Sequence, residues 1–375
     1  MNGAWKATTL GDSCDMYQPK TISTKEMIED GEYPVYGANG VIGRYSQFNH
    51  EEAQLLITCR GATCGSVNVS EPYSWITGNA MVIRPKDGSI NLKFLEYLFR
   101  GGIDIAKAIT GAAQPQITRT NLAPLEFSYP SSLPEQHRIV AILDAAFDGI
   151  ASAKANAEKN LQNARALFES HLQSVFTARG EGWEVKKVSE IAKHSLGKML
   201  DKTKNKGELR PYLRNINVRW FTFDLSDLLQ MPFLPTEAEK YTAIKGDVLI
   251  CEGGYPGRAA IWGEDYPIYF QKALHRVRFH EPEHNKWFVY YLSLQNSSGQ
   301  LKHHFSGTGI QHFTGEVLAR FTIPVPPLPE LRRAVAQFDE LSEETQRLES
   351  LYQQKLTALD ELKKSLLHLA FSGAL

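Results

Sequence analysis

Cysteine, long apolar runs and net charge are all scarce in this sequence. Its 375 residues include four cysteines, Cys14, Cys59, Cys64 and Cys251, too few and too scattered for a disulfide framework. The spacing of Cys59 and Cys64 matches no recognised zinc motif. No apolar run approaches the roughly 18 residues of a membrane span, and the first residues lack the basic and apolar regions of a signal peptide. We therefore expect a cytoplasmic protein with reduced thiols and no membrane partner.

The formal net charge of −1 argues against indiscriminate binding of polyanions. The charges are nevertheless segregated along the chain. Three acidic residues and ten basic residues lie between positions 186 and 219, the basic ones being Lys186, Lys187, Lys193, Lys198, Lys202, Lys204, Lys206, Arg210, Arg214 and Arg219. Such a stretch is expected of a surface that faces phosphates. For the segment "DKTKNKGELR" (201–210) alone, a solvated, flexible loop explains the charges equally well.

Catalytic signatures are missing as well. There is no G-x-x-x-x-G-K-[ST] loop for nucleotide hydrolysis, no third metal ligand near His303, His304 and His312, and no Ser/His/Asp or Cys/His arrangement. The segment 305–309, "FSGTG", fits the F-x-G-x-G pattern of S-adenosylmethionine-dependent methyltransferases. No N-P-P-Y or D-P-P-Y loop accompanies it, so we interpret it as a turn. We expect no catalytic residue, no metal and no cofactor in this chain.

What the sequence does contain is an internal repeat with an offset of about 195 residues. "LPEQHRIVAILD" from residue 133 matches "LPELRRAVAQFDE" from residue 328, and Phe176 matches Phe371. Upstream, "ITGAAQPQIT" (109–118) matches "FSGTGIQHFT" (305–314). Between these pieces, "YPVYGANGVIGRYSQFN" has no counterpart in "PYLRNINVRWFTFDLSD". A repeated frame around two variable modules indicates a protein that reads two different things at a fixed separation.

Two long helices are the clearest structural prediction. Residues 135–176 and 330–371 contain no proline and almost no glycine, and Leu341, Leu348, Leu362 and Leu369 repeat at multiples of seven. This periodicity predicts helices about 60 Å long that pack on each other. We predict an α/β (α+β) fold with a pseudo-twofold internal repeat. Two mixed α/β modules, at 1–130 and 179–327, are separated by two long antiparallel coiled-coil helices, at 131–178 and 328–375.

Polar side chains suited to DNA readout recur at comparable places in both modules. Arginine pairs with guanine, and asparagine or glutamine with adenine, in the major groove, while lysine contacts phosphates. The candidates in the first module are Asn39, Arg44, Tyr45, Gln47, Arg60, Thr63, Gln114 and Gln116. Those in the second module are Lys198, Lys204, Tyr212, Arg214, Asn215, Asn217, Arg219, Arg258, Gln271, Lys272 and Gln311. Each alone fits an ordinary polar loop, and their recurrence favours DNA binding.

Over essentially its whole length the chain resembles the DNA specificity subunits of type I restriction–modification systems. The likeness rests on the alternation of variable modules with the "LPEQHRIVAILD" and "LPELRRAVAQFDE" helices, and on the "QPQIT" and "QHFT" approaches to them. It implies that the modules are target recognition domains for the halves of a split, asymmetric double-stranded DNA sequence. It also implies that the helices act as a ruler and dock two methyltransferase subunits, to which restriction subunits add. S-adenosylmethionine, ATP and Mg²⁺ would belong to those partners.

Two other classes of protein are alternatives. A self-contained DNA methyltransferase or nuclease needs a donor-binding or metal-binding core, and no stretch is left over to supply one. A coiled-coil scaffold that binds only proteins would not need two divergent modules with polar loops. The resemblance departs from symmetry in one respect, since the first long helix is rich in alanine and the second in leucine.

Overall fold

The computed structural model of this chain describes residues 5–201 and 203–375. Lys202, which belongs to the predicted basic stretch, lies outside them. The chain divides into two compact units. Unit 1 contains the residues up to Glu158 together with Gln353–Leu375, and unit 2 contains Lys159–Tyr352. In the described residues, no helix combines the length and the apolarity needed to cross a lipid bilayer.

Module 1 (residues 5–130) consists of two small sheets and short helices. Its elements are β1 (Trp5–Thr9), α1 (Leu10–Ser13), β2 (Cys14–Tyr17), β3 (Tyr33–Gly37), β4 (Gly40–Tyr45), β5 (Leu55–Thr58), β6 (Val67–Val69), β7 (Trp75–Ile76), β8 (Ala80–Pro85), α2 (Leu92–Gly101), a 3-10 turn (Ile105–Ala108), α3 (Arg119–Leu122) and β9 (Glu126–Pro130). The sheets have the strand orders β2-β8-β5-β6 and β4-β3-β7, and β1 pairs with β9. Successive side chains of β5 point to opposite faces of the sheet. Leu55 and Ile57 pack in the cluster that contains Phe94 of α2, and Leu56 packs with Tyr36 of the second sheet. Both faces of β5 are therefore buried, which explains its apolar sequence.

Module 2 (residues 184–325) repeats this architecture. Its elements are β10 (Glu184–Lys187), α5 (Val188–Ile191), β11 (Ala192–Leu196), β12 (Glu208–Leu213), a 3-10 turn (Asn215–Asn217), β13 (Leu229–Phe233), a 3-10 turn (Pro235–Glu237), α6 (Ala238–Tyr241), β14 (Thr242–Ala243), β15 (Val248–Cys251), β16 (Ala259–Ile261), β17 (Ile268–Phe270), β18 (Leu274–Phe279), α7 (His284–Ser297), a 3-10 turn (Leu301–His304), α8 (Gly315–Arg320) and β19 (Thr322–Val325). The sheets have the orders β11-β18-β15-β16 and β13-β12-β17-β14, and β10 pairs with β19.

The second sheet corrects one conclusion drawn from the sequence. The segment that begins "YPVYGANG" does have a counterpart in the segment that begins "PYLRNINV". Strand β3 pairs in parallel with β7 through Tyr36 and Ile76, and β12 pairs in parallel with β17 through Leu213 and Phe270. The two segments differ in sequence because the strands share only a backbone pattern, which any apolar residues with β propensity satisfy.

The two long helices are α4 (Leu133–Ala178) and α9 (Leu328–Phe371). Each begins one residue before its Leu-Pro-Glu proline, which is compatible with the first helical turn because the amide there has no intrahelical acceptor. In unit 1 the start of α4 runs antiparallel to the end of α9. Arg138 donates a hydrogen bond to the carbonyl of Leu375 over 2.9 Å, and Lys154 pairs with Asp360.

In unit 2 the end of α4 runs antiparallel to the start of α9. Arg165 pairs with Glu349, and the ring of Phe176 stacks on Phe338 with centroids 5.8 Å apart. Small residues occupy buried positions of α4 seven residues apart, Ala157 in unit 1 and Ala164 in unit 2. This spacing is typical of helices that pack along their length.

Each module packs on both long helices in the same way. In unit 1 the Tyr97 hydroxyl donates to Asp144 near the start of α4, and Phe371 at the end of α9 contacts Phe94. In unit 2 the equivalent contacts join Tyr290 to Asp339 near the start of α9, and Phe176 at the end of α4 to Trp287. Burial, followed by the carboxylate partner, raises the pKa of both tyrosines, so their hydroxyls remain donors. Unit 1 therefore contains the start of α4 and the end of α9, and unit 2 contains the end of α4 and the start of α9.

Candidate nucleic-acid interface

The same corner recurs at the carboxyl end of the central strand in each module. We call residues 58–65 and 110–117 corner 1, and residues 251–258 and 306–313 corner 2. In corner 1 the Ile117 amide donates to the Cys59 carbonyl over 2.9 Å. In corner 2 the Phe313 amide donates to the Glu252 carbonyl over 2.8 Å. The chain segment that follows β3 or β12 lies against each corner.

Both corners contain a closed loop and glycines in the left-handed region. Thr110 and Gln116 exchange two backbone hydrogen bonds of 2.9 and 2.8 Å, and Ser306 and His312 exchange two of 2.9 Å. Such turns need residues with positive φ, which glycine adopts at little cost. They are found at Gly61, Gly65 and Gly111 in corner 1, and at Gly254, Gly257 and Gly307 in corner 2. A Cβ atom on Gly307 would lie 2.3 Å from the Ile310 carbonyl oxygen. The segment 305–309 is thus a turn, as the sequence analysis concluded.

Corner 1 brings together several of the residues predicted from the sequence. The Asn39 amide donates to the Thr63 hydroxyl over 2.6 Å and accepts from the Thr58 hydroxyl over 3.0 Å. Arg60 and Gln116 face each other in an antiparallel bridge. The side chains of the predicted readers are exposed here, namely Asn39, Arg60, Thr63, Gln114 and Gln116. Their donors and acceptors can therefore reach a ligand in solution.

Corner 2 also gathers predicted residues, but with different chemistry. The Asn215 amide donates to the Gly253 carbonyl over 3.0 Å, and the Arg258 guanidinium donates to the Asn215 carbonyl over 2.9 Å. Arg258 also lies 3.8 Å above the ring of Tyr255. Gln311 is exposed on the closed loop. Corner 1 thus presents amides, a hydroxyl and the Arg60 guanidinium, whereas corner 2 presents the Gln311 amide and a guanidinium that lies on an aromatic ring.

The structure contradicts three of the predicted contacts. Lys198 is 6% exposed, and its Nζ donates to the Pro232 carbonyl over 2.9 Å and to Glu237 over 2.6 Å. Tyr212 is 2% exposed and packs in a small apolar cluster. Asn217 is 1% exposed, and its amide donates to the carbonyls of Asp224 and Asp227. These residues are not surface contacts because their polar groups are already bound inside module 2.

The remaining candidates lie outside the two corners or at their margins. In module 1 the Arg44 guanidinium donates to the carbonyls of Gly31 and Glu32, the Tyr45 ring packs edge-on against Trp75, and Gln47 is exposed beyond β4. In module 2 the remaining candidates either contact other residues of the module or are exposed. Arg214 pairs with Asp227 and Arg219 with Asp224, Gln271 bridges to Lys198 through the backbone, and Lys204 and Lys272 are exposed.

Two residues of corner 2 were not predicted from the sequence. Tyr255 is 53% exposed and supports the Arg258 guanidinium, and the Glu252 carboxylate lies 3.7 Å from Nδ1 of His312. An aromatic residue inside the glycine-rich "EGGYPG" segment, directly after an apolar strand, is the signal that could have identified Tyr255. At this place the half-exposed Tyr255 ring stacks on the Arg258 guanidinium.

The thiols near the corners are protonated at neutral pH. Burial raises the pKa of Cys59 and raises that of Cys251 to about 11. A protonated, buried thiol is a poor nucleophile. Within the described residues, no group of three or more His, Cys, Asp or Glu side chains is arranged to hold a metal ion. The exposed side chains of the corners offer hydrogen bonding and charge, which are the means of recognising base edges and phosphates.

Sequence comparison identifies the family. The type I restriction modification DNA specificity domain matches residues 2–162 and 180–358. The chain belongs to this family. The type I restriction enzyme EcoprrI specificity subunit of Escherichia coli is 31% identical over 143 residues, which are 37% of this chain and 35% of that protein. A putative type I specificity subunit of Mycoplasma pneumoniae, S.MpnORF289P N-terminus, is 28% identical over 145 residues, which are 37% of this chain and 76% of that protein. The match thus spans about a third of the E. coli relative.

Comparison with solved structures supports the fold. A chain from the study "Structural basis underlying complex assembly and conformational transition of the type I R-M system" superposes with a TM-score of 0.80 at 18% identity, covering 100% of this chain and 98% of that one. The HsdS subunit from Thermoanaerobacter tengcongensis gives a TM-score of 0.62 at 19% identity, covering 99% of this chain and 97% of that one. The predicted mixed α/β class with long helices is confirmed.

Proposed function

We propose that this chain is the DNA-recognition subunit of a type I restriction–modification complex, and that its two modules read the two halves of one split, asymmetric target. One observation carries the proposal: corners 1 and 2 share their backbone hydrogen bonds and glycine positions but differ in their exposed side chains. A shared backbone presents both corners in the same way. Different side chains then select different bases.

The chemistry of each corner supports a different half-site. Asn39 and Gln116 in corner 1 are exposed amides, and amides pair with adenine. Arg258 in corner 2 is partly exposed and fixed by Asn215 and Tyr255, which suits a bidentate contact to guanine. Lys272 and Lys204 are exposed cations that suit phosphates.

The long helices are proposed to set the distance between the half-sites and to dock two methyltransferase subunits, with restriction subunits added to them. The chain itself then performs no catalysis and acts in the cytoplasm. S-adenosylmethionine, ATP and Mg²⁺ belong to the partner subunits. The support for this division of labour is the protonated state of the corner thiols together with the absence, from the whole sequence, of the methyltransferase and nucleotide-hydrolysis motifs.

Single substitutions at the two corners test the proposal, because each module serves as the control for the other. Cells that carry the complete system would be analysed by sequencing of their methylated DNA. Gln116→Ala should relax the first half-site and leave the second unchanged, and Gln311→Ala should do the reverse. A lost base contact costs about 1–3 kcal/mol of discrimination. If either substitution alters both half-sites, or neither, the assignment of one half-site to each module is wrong.

The spacer role is tested by lengthening both helices. One heptad is inserted in α4 between Glu158 and Lys159, and one in α9 between Tyr352 and Gln353, where the units divide. A heptad adds about 10 Å and keeps the apolar seam aligned, which corresponds to about three base pairs. Methylated sites should keep both half-sites and gain a longer spacer. An unchanged spacer would show that the helices only pack.

A half-length chain of residues 1–178 gives a second test of the same proposal. In unit 1 the contact on Phe94 is made by Phe371, and Phe176 occupies the equivalent place at the end of α4. A second copy of the fragment can therefore supply Phe176 where Phe371 is missing. We expect a homodimer whose methylated target is a palindrome of the first half-site. Recovery of the original asymmetric target from this fragment would contradict the proposal.

A further inference from the structure

Module 1 contains an open cleft beside the start of β5, at the other end of this strand from corner 1. The cleft has a volume of about 650 Å³, and Tyr17, Lys20, His50, Gln54, Trp75 and Arg84 are among its lining residues. Small-molecule sites fall in the range of roughly 300–1,000 Å³ and combine apolar walls with a few polar groups. This cleft falls in that range, and its walls are more polar than is usual because charged and amide side chains line it beside the Tyr17 and Trp75 rings.

The equivalent place in module 2 is filled by an ion pair. The pairing of Leu55 with Ile83 in module 1 corresponds to that of Val248 with Val277 in module 2. Gln54 therefore corresponds to Asp247, and Arg84 to Arg278. In module 2 the Arg278 guanidinium donates to Asp247 over 2.7 and 2.6 Å, and Asp247 is buried. In module 1 the neutral Gln54 replaces the carboxylate, and exposed Arg84 forms no ion pair with any residue that the structure describes.

A second cation follows the same pattern. Tyr17 in module 1 corresponds to Ser195 in module 2, because their strand partners, Val82 and Arg276, each stand two residues before the arginine just described. Lys20, three residues after Tyr17, therefore corresponds to Lys198, three residues after Ser195. Module 2 neutralises Lys198 with Glu237. Lys20 is exposed and has no ion-pair partner in the described part of the chain. Module 1 thus has two cations, Arg84 and Lys20, that lack the carboxylate partners which module 2 supplies.

Three exposed carboxylates, Asp15, Glu51 and Glu52, lie near the cleft. Asp15 is the strand neighbour of Arg84, while Glu51 and Glu52 are on the rim. None of them forms an ion pair with the described residues, so they do not replace Asp247. A carboxylate at the rim accepts hydrogen bonds, which suits an exocyclic amino group of a base.

The walls of the cleft favour a flat ring. The Tyr17 hydroxyl bonds Nε2 of His50 over 2.9 Å, and the two rings lie 16° from parallel. Asn49 holds the other imidazole nitrogen over 2.6 Å. Burial and then the charge of Arg84 lower the pKa of His50, so this wall is neutral at pH 7. The Trp75 Nε1 donor is buried and has no acceptor among the described residues.

We propose that this cleft binds a mononucleotide unit, with its phosphate on Arg84 and Lys20 and its base against the Tyr17–His50 wall. Aromatic side chains stack on bases of any kind, and the two cations provide the charge that a phosphate requires. The nucleotide comes either from solution or from bound DNA, where it would be extruded from the stack. Only the second source rests on the proposed function.

The first experiment is calorimetric titration of the full chain with dAMP and with inorganic phosphate. We expect dAMP to bind at least ten times more tightly than phosphate. Arg84→Gln should weaken dAMP binding at least tenfold. Gln54→Asp should abolish it, because the new carboxylate pairs with Arg84 as Asp247 pairs with Arg278. Arg119→Gln, which removes an exposed arginine elsewhere in module 1, is the matched control and should have no effect.

Gln54→Asp places a carboxylate at a buried position and removes the amide that donates to the Glu52 carbonyl, so its thermal midpoint is measured beside its binding. If the midpoint falls, the substitution of exposed Arg84 by Gln decides the test, and dAMP binding that persists in Arg84→Gln overturns the proposal. Binding of dAMP that persists in Gln54→Asp overturns the proposal, as does absence of dAMP binding in the unmodified chain. Tighter binding of a glutamate-rich peptide than of dAMP would also overturn it, since the site would then take carboxylates.

The second experiment distinguishes the two sources of the nucleotide. The assembled complex is mixed with target DNA that carries 2-aminopurine at one position at a time. A fluorescence increase that disappears with Gln54→Asp identifies an extruded DNA nucleotide, and dAMP binding without such a response identifies a free nucleotide. If the complex fails to bind DNA while dAMP still binds the chain, the proposed function fails and the site stands.

Discussion

Lys198, the buried lysine of module 2, was predicted from the sequence to contact DNA, whereas the structure gives it a role in stability. As a phosphate contact, Lys198 would affect DNA binding and not stability. In the structure its Nζ is held by Glu237 over 2.6 Å and lies 4.9 Å above the Phe233 ring. Removal of one partner from a buried ion pair costs roughly 3–5 kcal/mol. The Glu237 side chain is 25% exposed, so we expect about 2–3 kcal/mol for Lys198→Ala because water screens the remaining charge.

The assay is thermal and urea unfolding of the full chain beside Lys204→Ala. For a unit of this size, each kcal/mol lowers the thermal midpoint by about 2–4 °C, so Lys198→Ala should lower the midpoint of unit 2 by roughly 4–12 °C. Lys204 is 85% exposed and lies 3.8 Å from Asp201, so its removal should leave stability unchanged. If Lys204 contacts a phosphate, Lys204→Ala should instead reduce the salt slope of DNA binding by about one.

Two further measurements isolate the contribution of the ion pair between Lys198 and Glu237. Lys198→Met combined with Glu237→Gln removes both charges, and this double variant should lose less stability than Lys198→Ala alone. Burial raises the pKa of Glu237, whereas hydrogen bonds from Lys198 and from the Leu234 amide lower it. The lowering effects together are larger, so the pKa lies below its usual value. Its contribution is therefore present at neutral pH and lost as the pH falls through that lowered pKa. A stable Lys198→Ala variant with a reduced salt slope would refute this reasoning.

Three other outcomes follow from particular residues. Burial lowers the pKa of His275 to about 4. Unit 2 should therefore lose stability, by at most roughly 3 kcal/mol, as the pH falls from 6.5 towards 4. His275→Gln should flatten this pH dependence in unfolding curves. Gly307→Ala should destabilise unit 2 by about 1–3 kcal/mol because the φ angle of Gly307 is +106°. The control is Gly309→Ala, whose added methyl group meets open space, so the unfolding free energy should change by less than about 0.5 kcal/mol. Tyr290→Phe should cost about 1 kcal/mol in urea unfolding, since Asp339 loses one hydrogen bond.

The features predicted well from the sequence are those with local signals. Both long helices follow from the absence of proline and from the seven-residue spacing, and their observed bounds, Leu133–Ala178 and Leu328–Phe371, lie within the predicted ranges 131–178 and 328–375. The strands around Leu55 and Val248 follow from short apolar runs, because a central strand is buried on both faces. The turn at Gly307 follows from its recurrence at Gly111. The helices and strands depend on residues close together in the chain, and the turn is identified by its repetition in the second module.

The features that could not be predicted depend on contacts between distant residues. Lys198 and its partner Glu237 are separated by 39 positions, and no local pattern distinguishes this lysine from the exposed Lys204. Asn217 looks like a base reader until its amide is seen to close a turn with Asp224. The correspondence of the second sheets was equally hidden, because a parallel pairing with β7 or β17 leaves no trace in the neighbouring sequence.

The division between repeated and variable features explains how one scaffold can serve two recognition tasks. The corners are closed by backbone hydrogen bonds, such as those between Thr110 and Gln116 or between Ser306 and His312. Backbone groups are the same for every residue, so the closure places no demand on the exposed side chains. Only the glycines with positive φ are constrained, because side chains at those positions would be strained. Side chains at the corners can therefore differ between the modules without a cost in folding, and recognition can change while the frame is kept.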